Sequence, residues 1–340
     1  MKVIVAPDSY KGCLSAGEVA ATVASAFRDL RPGWEVVEHP LADGGEGTVD
    51  VVVPAVGGTF CEAVVCDPRG RLVTARYGLA GDLAIIEVAE ACGLKHLRPE
   101  ERNPLIASSY GVGELLLAAH GAGARRFLVG LGGTATSDGG AGMMHVPGLR
   151  KSLAGCSFEI LCDVQVPFMG PEGAACRYAP QKGATPEAVL LLEKRMEALA
   201  KTILAETGVD VVSLPGTGAA GGLAGAFMAY FGAENVSGID RILDLTDFDA
   251  AVEGADLVIT GEGKSDRQTL SGKVALGVLR RSKGVPVALL SGRIEDAEAL
   301  VAEGFSKLVQ VSPENLPLAE AMDPETAKEN LHKAVTSLLS

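Results

Sequence analysis

Three times in this chain a short apolar run ends in a glycine-rich loop that carries carboxylates. The loops are Ala42-Asp43-Gly44-Gly45-Glu46-Gly47-Thr48, Gly132-Gly133-Thr134-Ala135-Thr136-Ser137-Asp138-Gly139-Gly140 and Gly261-Glu262-Gly263-Lys264-Ser265-Asp266. Strand, glycine turn and helix in succession read as parallel β-sheet, because glycine permits the tight exit that precedes a crossover. Glycine also lets backbone amides approach an oxyanion closely. Carboxylates in the same loops would repel a bare phosphate, so the pairing calls for a divalent cation between them. That combination points to phosphoryl transfer rather than to simple anion binding.

A chain of 340 residues, 47% of them apolar, suits two domains better than one core. Its 43 glycines and 4% aromatic content fit an α/β protein with tight turns. Thirty basic against 43 acidic side chains give a net charge of −13, which disfavours nucleic acid or an anionic membrane as partner. The seven cysteines (13, 61, 66, 92, 156, 162, 176) form no Cys-x-x-Cys pair, as expected of small buried hydrophobes in a reducing cytosol. The N-terminus enters a strand pattern at once, so a cytoplasmic location is expected. Residues 214–233 carry no charge but include six glycines, which favours a tightly packed interior helix over a membrane span. A homodimer is left open.

Residues 3–6 form the first expected strand. Ser15 then caps a helix with Glu18 at its third position, and Val19, Val23, Phe27 and Leu30 keep helical spacing. Residues 35–40 read as a second strand. Between 59 and 88, two alternating runs flank the turn Asp67-Pro68-Arg69-Gly70 and a third follows Gly81-Asp82, an antiparallel insertion that opens a second domain. A helix is expected from Asn103-Pro104 to His120, then a strand over 126–131 and another over 158–162 that ends at Asp163. A charged helix follows over 185–206. A strand over 257–260, a helix over 273–283, strands over 285–291 and 307–311 and a last helix close the chain. Similar units at both ends place residues 1–60 and 256–340 in one discontinuous α/β domain, with an inserted mixed-sheet domain over 61–255.

Several short patterns compete for function. Gly216-Thr217-Gly218-Ala219-Ala220-Gly221 matches G-x-G-x-x-G, with Asp240 near the distance of a ribose-binding acid, so an NAD-dependent dehydrogenase is an alternative. Against it, Pro215 interrupts the step from strand to glycine. Gly263-Lys264-Ser265 ends like a Walker A loop, but Val258 stands where the leading glycine should. Asp8-Ser9-Tyr10-Lys11-Gly12 falls where the first strand stops, at the sheet edge where ligands collect. Asp43, Glu46, Asp138, Asp163, Glu262 and Asp266 all fall at expected strand ends. One should serve as general base on a substrate hydroxyl and others should bind Mg2+. The five histidines show no metal spacing.

With these loops laid out, the chain resembles the bacterial glycerate kinase family, type I. The resemblance rests on residues 6–16 (Ala-Pro-Asp-Ser-Tyr-Lys-Gly-Cys-Leu-Ser-Ala), the three acidic loops, Ser109-Tyr110-Gly111-Val112-Gly113-Glu114-Leu115, Cys162-Asp163-Val164, Pro180-Gln181-Lys182-Gly183-Ala184 and Gly218-Ala219-Ala220-Gly221-Gly222. It implies ATP- and Mg2+-dependent phosphorylation of D-glycerate, with 2-phosphoglycerate as product. It also implies one flavodoxin/Rossmann-like domain with a parallel sheet and one inserted mixed-sheet domain, with the active site in the cleft. Asp43, Asp138, Lys11 and Asp266 are then expected to act in catalysis, and Asp8, Ser9, Lys11 and Ser109 to bind substrate. Gly132, Gly133, Thr134, Gly218, Gly221, Gly261, Gly263 and Lys264 are expected to hold the nucleotide, and Asp163, Glu262 and Asp43 the metal. Three departures stand out: Lys264 replaces a usual arginine, residues 144–148 run almost directly into Leu153-Ala154-Gly155, and Asp163-Val164-Gln165-Val166-Pro167 lacks the asparagine usual before that proline. A non-catalytic protein that binds a sugar acid is the other alternative.

Overall fold

Val3, Ile4 and Val5 have no exposed surface, as a strand covered on both faces requires. The structure is a computed structural model describing residues 1–270 and 272–339. The chain opens with β1 (Lys2–Val5), the helix Ala16–Leu30 and β2 (Glu35–Glu38). The helix Thr48–Ala55, β3 (Thr59–Cys66), β4 (Leu72–Ala80) and β5 (Leu83–Glu87) follow. Next come the helix Tyr110–Gly121, β6 (Arg126–Gly130), β7 (Ser157–Leu161), the helices Pro186–Thr207 and Leu223–Phe231, and β8 (Glu234–Val236). The last part holds the helix Gly238–Leu245, β9 (Leu257–Thr260), β10 (Lys264–Ser265), the helix Val274–Arg281, β11 (Val287–Ser291), β12 (Arg293–Ile294), β13 (Lys307–Gln310) and the helix Pro324–Leu339. Residues 1–43 with 239–340 make one compact unit and residues 44–238 the other.

The first unit is built on a five-stranded parallel sheet in the order β13-β11-β9-β1-β2. Read from the other edge this is the 2-1-3-4-5 order of flavodoxin-like folds, with the strand order reversing between β1 and β9. On one face, Val3 and Val5 pack with Val19, Val23 and Phe27 of the first helix and Leu331 and Val335 of the last. Ile4, Val258 and Leu289 are equally buried, as are Ile242, Leu243 and Val278 on the helices Gly238–Leu245 and Val274–Arg281. Gly277 lets those helices touch, since a Cβ there would lie 2.3 Å from Ile239 Cγ1. The expected capping box is present: the Glu18 amide donates to Ser15 Oγ at 3.2 Å and the Ser15 amide to the Glu18 carboxylate at 2.9 Å.

The second unit carries a six-stranded mixed sheet, β3-β4-β5-β6-β7-β8, antiparallel from β3 to β5 and parallel from β5 to β8. Its hairpin turn is fixed by Asp67, which accepts from the amides of Arg69 at 2.7 Å and Arg71 at 2.9 Å. Phe127 and Phe158 stack at 4.7 Å in a core that also holds Leu115, Leu116 and Phe227. Among the described residues no helix is long and apolar enough to cross a membrane, and residues 223–231 form a short buried helix instead.

Two sequence expectations need correction. The helix expected from Asn103 begins only at Tyr110, because the preceding amides bond elsewhere. Asn103 Oδ1 accepts from the Leu105 amide at 3.1 Å, Ser108 donates to Pro68 O at 3.0 Å, and Ser109 donates to the Asp138 carboxylate at 2.8 Å. The expected boundaries at 60/61 and 255/256 also move, since the compact units divide at 43/44 and 238/239. The helix Thr48–Ala55 packs on β4 and β5, so close that a Cβ on Gly78 would lie 2.0 Å from Val53 Cγ2.

Candidate active site

In open α/β sheets ligands collect beyond the carboxyl ends of the strands where the strand order reverses. In the first unit that point lies between β1 and β9, and the loops leaving it carry Asp8-Ser9-Tyr10-Lys11 and Gly261-Glu262-Gly263-Lys264. The two loops are tied together: the Asp8 amide donates to Gly261 O at 2.9 Å. A Cβ on Gly261 would sit 1.6 Å from Leu290 O, so no other residue fits that approach to β11. Tyr10 donates its hydroxyl to the same carbonyl at 2.9 Å, clamping the first loop over the sheet.

Asp8 is 3% exposed, and its carboxylate accepts from the Ser9 amide at 2.7 Å. Burial pushes its pKa up to about 7, with Asp43 adding to the rise and Lys11 opposing it. Lys11 Nζ lies 3.6 Å from Asp43 Oδ2, and that carboxylate holds the Lys11 ammonium above its ordinary pKa. Asp8, Lys11 and Asp43 therefore form one electrostatic group. Glu262 is buried but spoken for, accepting from Ser265 Oγ at 3.2 Å, Thr269 Oγ1 at 2.6 Å and Lys273 Nζ at 3.0 Å. Lys264 pairs with Glu295 at 2.9 Å and Asp266 at 3.4 Å. Burial works against ionisation of Asp266, but the Gln268 amide and Lys264 hold its carboxyl below the ordinary value.

The second unit gathers the other predicted residues at the carboxyl ends of its parallel strands. Gly132 and Gly133 follow β6 and Asp163 follows β7, both of whose oxygens lie 3.2 Å from the Gly238 amide. A Cβ on Gly132 would fall 2.7 Å from Gly45 Cα, so residues 44–48 and the loop 132–140 meet backbone to backbone within this unit. Asp138 is an organiser of this edge: it accepts from the Ser109 amide and hydroxyl, both at 2.8 Å, and from the amides of Gly140 and Gly142, both at 3.1 Å. Thr134 is held from below by Lys182.

The structure brings Asp8, Ser9, Lys11, Asp43, Gly261, Glu262, Gly263, Lys264 and Asp266 into the first unit, and Ser109, Gly132, Gly133, Thr134, Asp138, Asp163, Gly218 and Gly221 into the second. Gly218 and Gly221 are packing positions, where a Cβ would lie 1.9 Å from Pro167 O and 2.2 Å from Thr136 O. No strand leads into them, since residues 211–214 are turn and bend; a dinucleotide fingerprint requires that strand, so the dehydrogenase alternative falls.

Three residues escape the sequence pattern. Lys182 is 6% exposed and donates to Thr134 Oγ1 at 3.1 Å and Thr136 O at 2.5 Å; burial lowers its pKa to about 8. Glu87, at the end of β5, accepts from the Val49 amide at 2.8 Å, and burial raises its pKa to about 7. Lys273 reaches Glu262 from the start of the helix Val274–Arg281. Only Lys182 left a trace in the sequence, as a lysine set beside glycine in a turn that precedes a helix.

Comparison with known proteins meets this geometry. A family model described as the glycerate kinase family matches residues 3–151 and 144–340, overlapping in the segment that reads short. The chain is 39% identical to the glycerate kinase of Bacillus subtilis (strain 168), covering 95% of this chain and 93% of that protein. It is 38% identical to the glycerate 2-kinase of Escherichia coli (strain K12), covering 88% and 87%. A crystal structure from Salmonella typhimurium LT2 named for glycerate kinase 2 superposes with a TM-score of 0.84 at 38% identity, covering 99% and 97% of the two chains. With two α/β units and the acidic loops in place, the chain belongs to the glycerate kinase family, phosphotransferases that act on an alcohol group.

Proposed function

We propose that the chain transfers the γ-phosphoryl group of ATP to D-glycerate, with Mg2+, giving 2-phosphoglycerate. The observation that carries this reading is the group Asp8–Lys11–Asp43 at the point where the strand order reverses, with Asp8 poised near neutral pKa. A general base works best with a pKa near the working pH. Lys11 would hold the glycerate carboxylate as a point charge. The 2-hydroxyl is borne on the adjacent carbon, so a carboxylate held by Lys11 brings that hydroxyl, rather than the 3-hydroxyl, nearer to Asp8. Asp8 takes the hydroxyl proton as its oxygen bonds to phosphorus, and the bond to the β-phosphate oxygen breaks to release ADP. The name of the Escherichia coli relative supports the same regiochemistry.

Among the described residues no group of three or more His, Cys, Asp or Glu side chains is arranged to hold a metal ion. Mg2+ fits this donor set nonetheless, because it commonly takes one or two carboxylates and fills its shell with phosphate oxygens and water. Asp43 is the residue to hold it, since its charge already raises the proton affinity of Asp8 and a cation there would relieve that repulsion. When bound, Mg2+ would neutralise charge on the transferring phosphates. Ser109, Asp138 and Lys182 would keep the loop 132–140 in shape. Phosphorus and proton NMR of the product made from ATP and D-glycerate tests the reading. The expected product is 2-phosphoglycerate, formed only with Mg2+ and lost on chelation. 3-Phosphoglycerate would overturn the regiochemistry, and no ADP above the glycerate-free blank would overturn the kinase.

A further inference from the structure

A cavity of about 730 Å3 opens on the carboxyl edge of the first unit's sheet, within the size range of small-molecule sites. The loops after β1 and β9 line it with polar groups, Asp8, Ser9, Lys11, Glu262, Lys264 and Lys273. The segment after β13 lines it with Val311, Leu316, Leu318, Ala321 and Met322. β13 and β1 stand three strand spacings apart, roughly 14 Å. A three-carbon acid spans a fraction of that. Met322 folds back toward the first loop, its methyl lying 3.1 Å from where a Cβ on Gly12 would stand.

Two further observations point to an occupant. Ser9 lines the cavity, yet its buried hydroxyl has no partner among the described residues, a state that costs free energy unless a ligand or water supplies one. Leu318 and Met322, 74% and 39% exposed, leave apolar surface uncovered on the same wall.

We propose that this cavity is the nucleotide subsite, with the base against Leu316, Leu318 and Met322 and the phosphates at Lys264 and Lys273. The assignment rests on the kinase reading and adds to it the unit that holds the donor. Its chemistry follows from the lining: a flat, largely apolar ring at one end and a polyanion at the other, near Asp8.

The variants Leu316→Asp and Met322→Asp test it, since both positions line the apolar wall and neither touches the Asp8 group. Isothermal calorimetry with the non-hydrolysable probe adenosine 5′-(β,γ-imido)triphosphate and Mg2+ should show affinity falling at least about tenfold in each, the scale of losing one buried apolar contact. KM for ATP should rise in parallel while KM for D-glycerate and the melting temperature hold. A raised KM for D-glycerate alone would overturn the assignment and give the cavity to the acceptor. Unchanged probe affinity would overturn it outright. If the wild-type protein bound the probe, lost it in both variants and yet made no phosphoglycerate, the nucleotide subsite would stand and the functional reading would fall.

Discussion

Replacing Asp8 by asparagine should make the protein more stable and nearly inactive, with a gain in stability that grows with pH. The buried carboxyl titrates at about 7 against an ordinary 3.8, so between those values the folded state binds the extra proton. Stability then falls as pH rises, by up to about 1.4 kcal/mol per pH unit, and the loss is complete above the folded pKa. From an ordinary 3.8 to about 7 the sum is on the order of 4 kcal/mol, of which roughly 2–3 kcal/mol accrues between pH 5 and pH 8. Asparagine keeps an acceptor for the Ser9 amide, 2.7 Å away in the parent, but has no charge to bury. The chain's one tryptophan, Trp34, lies in the first unit and stacks on Phe27 at 6.0 Å, so urea unfolding followed by its fluorescence reports this unit alone. The stability difference between variant and parent should already be about 1–2 kcal/mol at pH 5 and grow by roughly 2–3 kcal/mol to its full size at pH 8, while kcat drops at least about a hundredfold. A difference that stays flat from pH 5 to pH 8 would refute a carboxyl that is buried and protonated near neutrality.

Asp43→Asn removes the charge that raises both Asp8 and Lys11, so the acidic limb of the kcat/KM profile should move to lower pH and half-saturation by Mg2+ should need at least about tenfold more metal. Unchanged Mg2+ dependence would take Asp43 out of the metal's shell. Lys182→Met strips the loop 132–140 of its two bonds from Nζ. Because the Lys182 pKa is lowered to about 8, the unfolded chain binds the extra proton above that pH and the parent gains stability as pH rises from 8 toward 10.5. Denaturant titrations at pH 8 and 10 should show that gain in the parent and its absence in the variant.

Periodicity and turn chemistry made the first unit readable. Val3 to Val5 are apolar in an unbroken run, Ser15 and Glu18 announce the cap, and Gly261 marks the exit of β9, so the parallel sheet followed directly. The hairpin around Asp67 was equally plain, since its side chain makes the turn by itself. Residues 103–109 were not, because the Ser108 and Ser109 amides are claimed by Pro68 and Asp138, partners 29 or more positions away that no local pattern reveals. The site divides in the same way. Asp8, Lys11 and Asp43 fall at strand ends and could be found from sequence. That Glu262 is consumed by Ser265, Thr269 and Lys273, and Asp138 by four donors of its own unit, depends on side-chain directions that spacing does not encode. A carboxylate in a glycine loop is therefore as often an organiser of that loop as a reacting group.

The first unit's sheet is assembled from strands on either side of an entire second unit, and this sets a timetable for synthesis. The ribosome delivers β1 and β2 early, but β9, which pairs with β1 on its other side, follows only after residues 39–256. At about 5–20 residues per second that interval lasts roughly 10–40 s. For all of it Val3, Ile4 and Val5, the most deeply buried run of the finished sheet, wait with one edge open, while the second unit can already fold. The nascent chain is thus expected to present a hydrophobic strand to chaperones for far longer than its secondary structure needs to form, and slower elongation should lower the yield of folded kinase without touching any residue of its site.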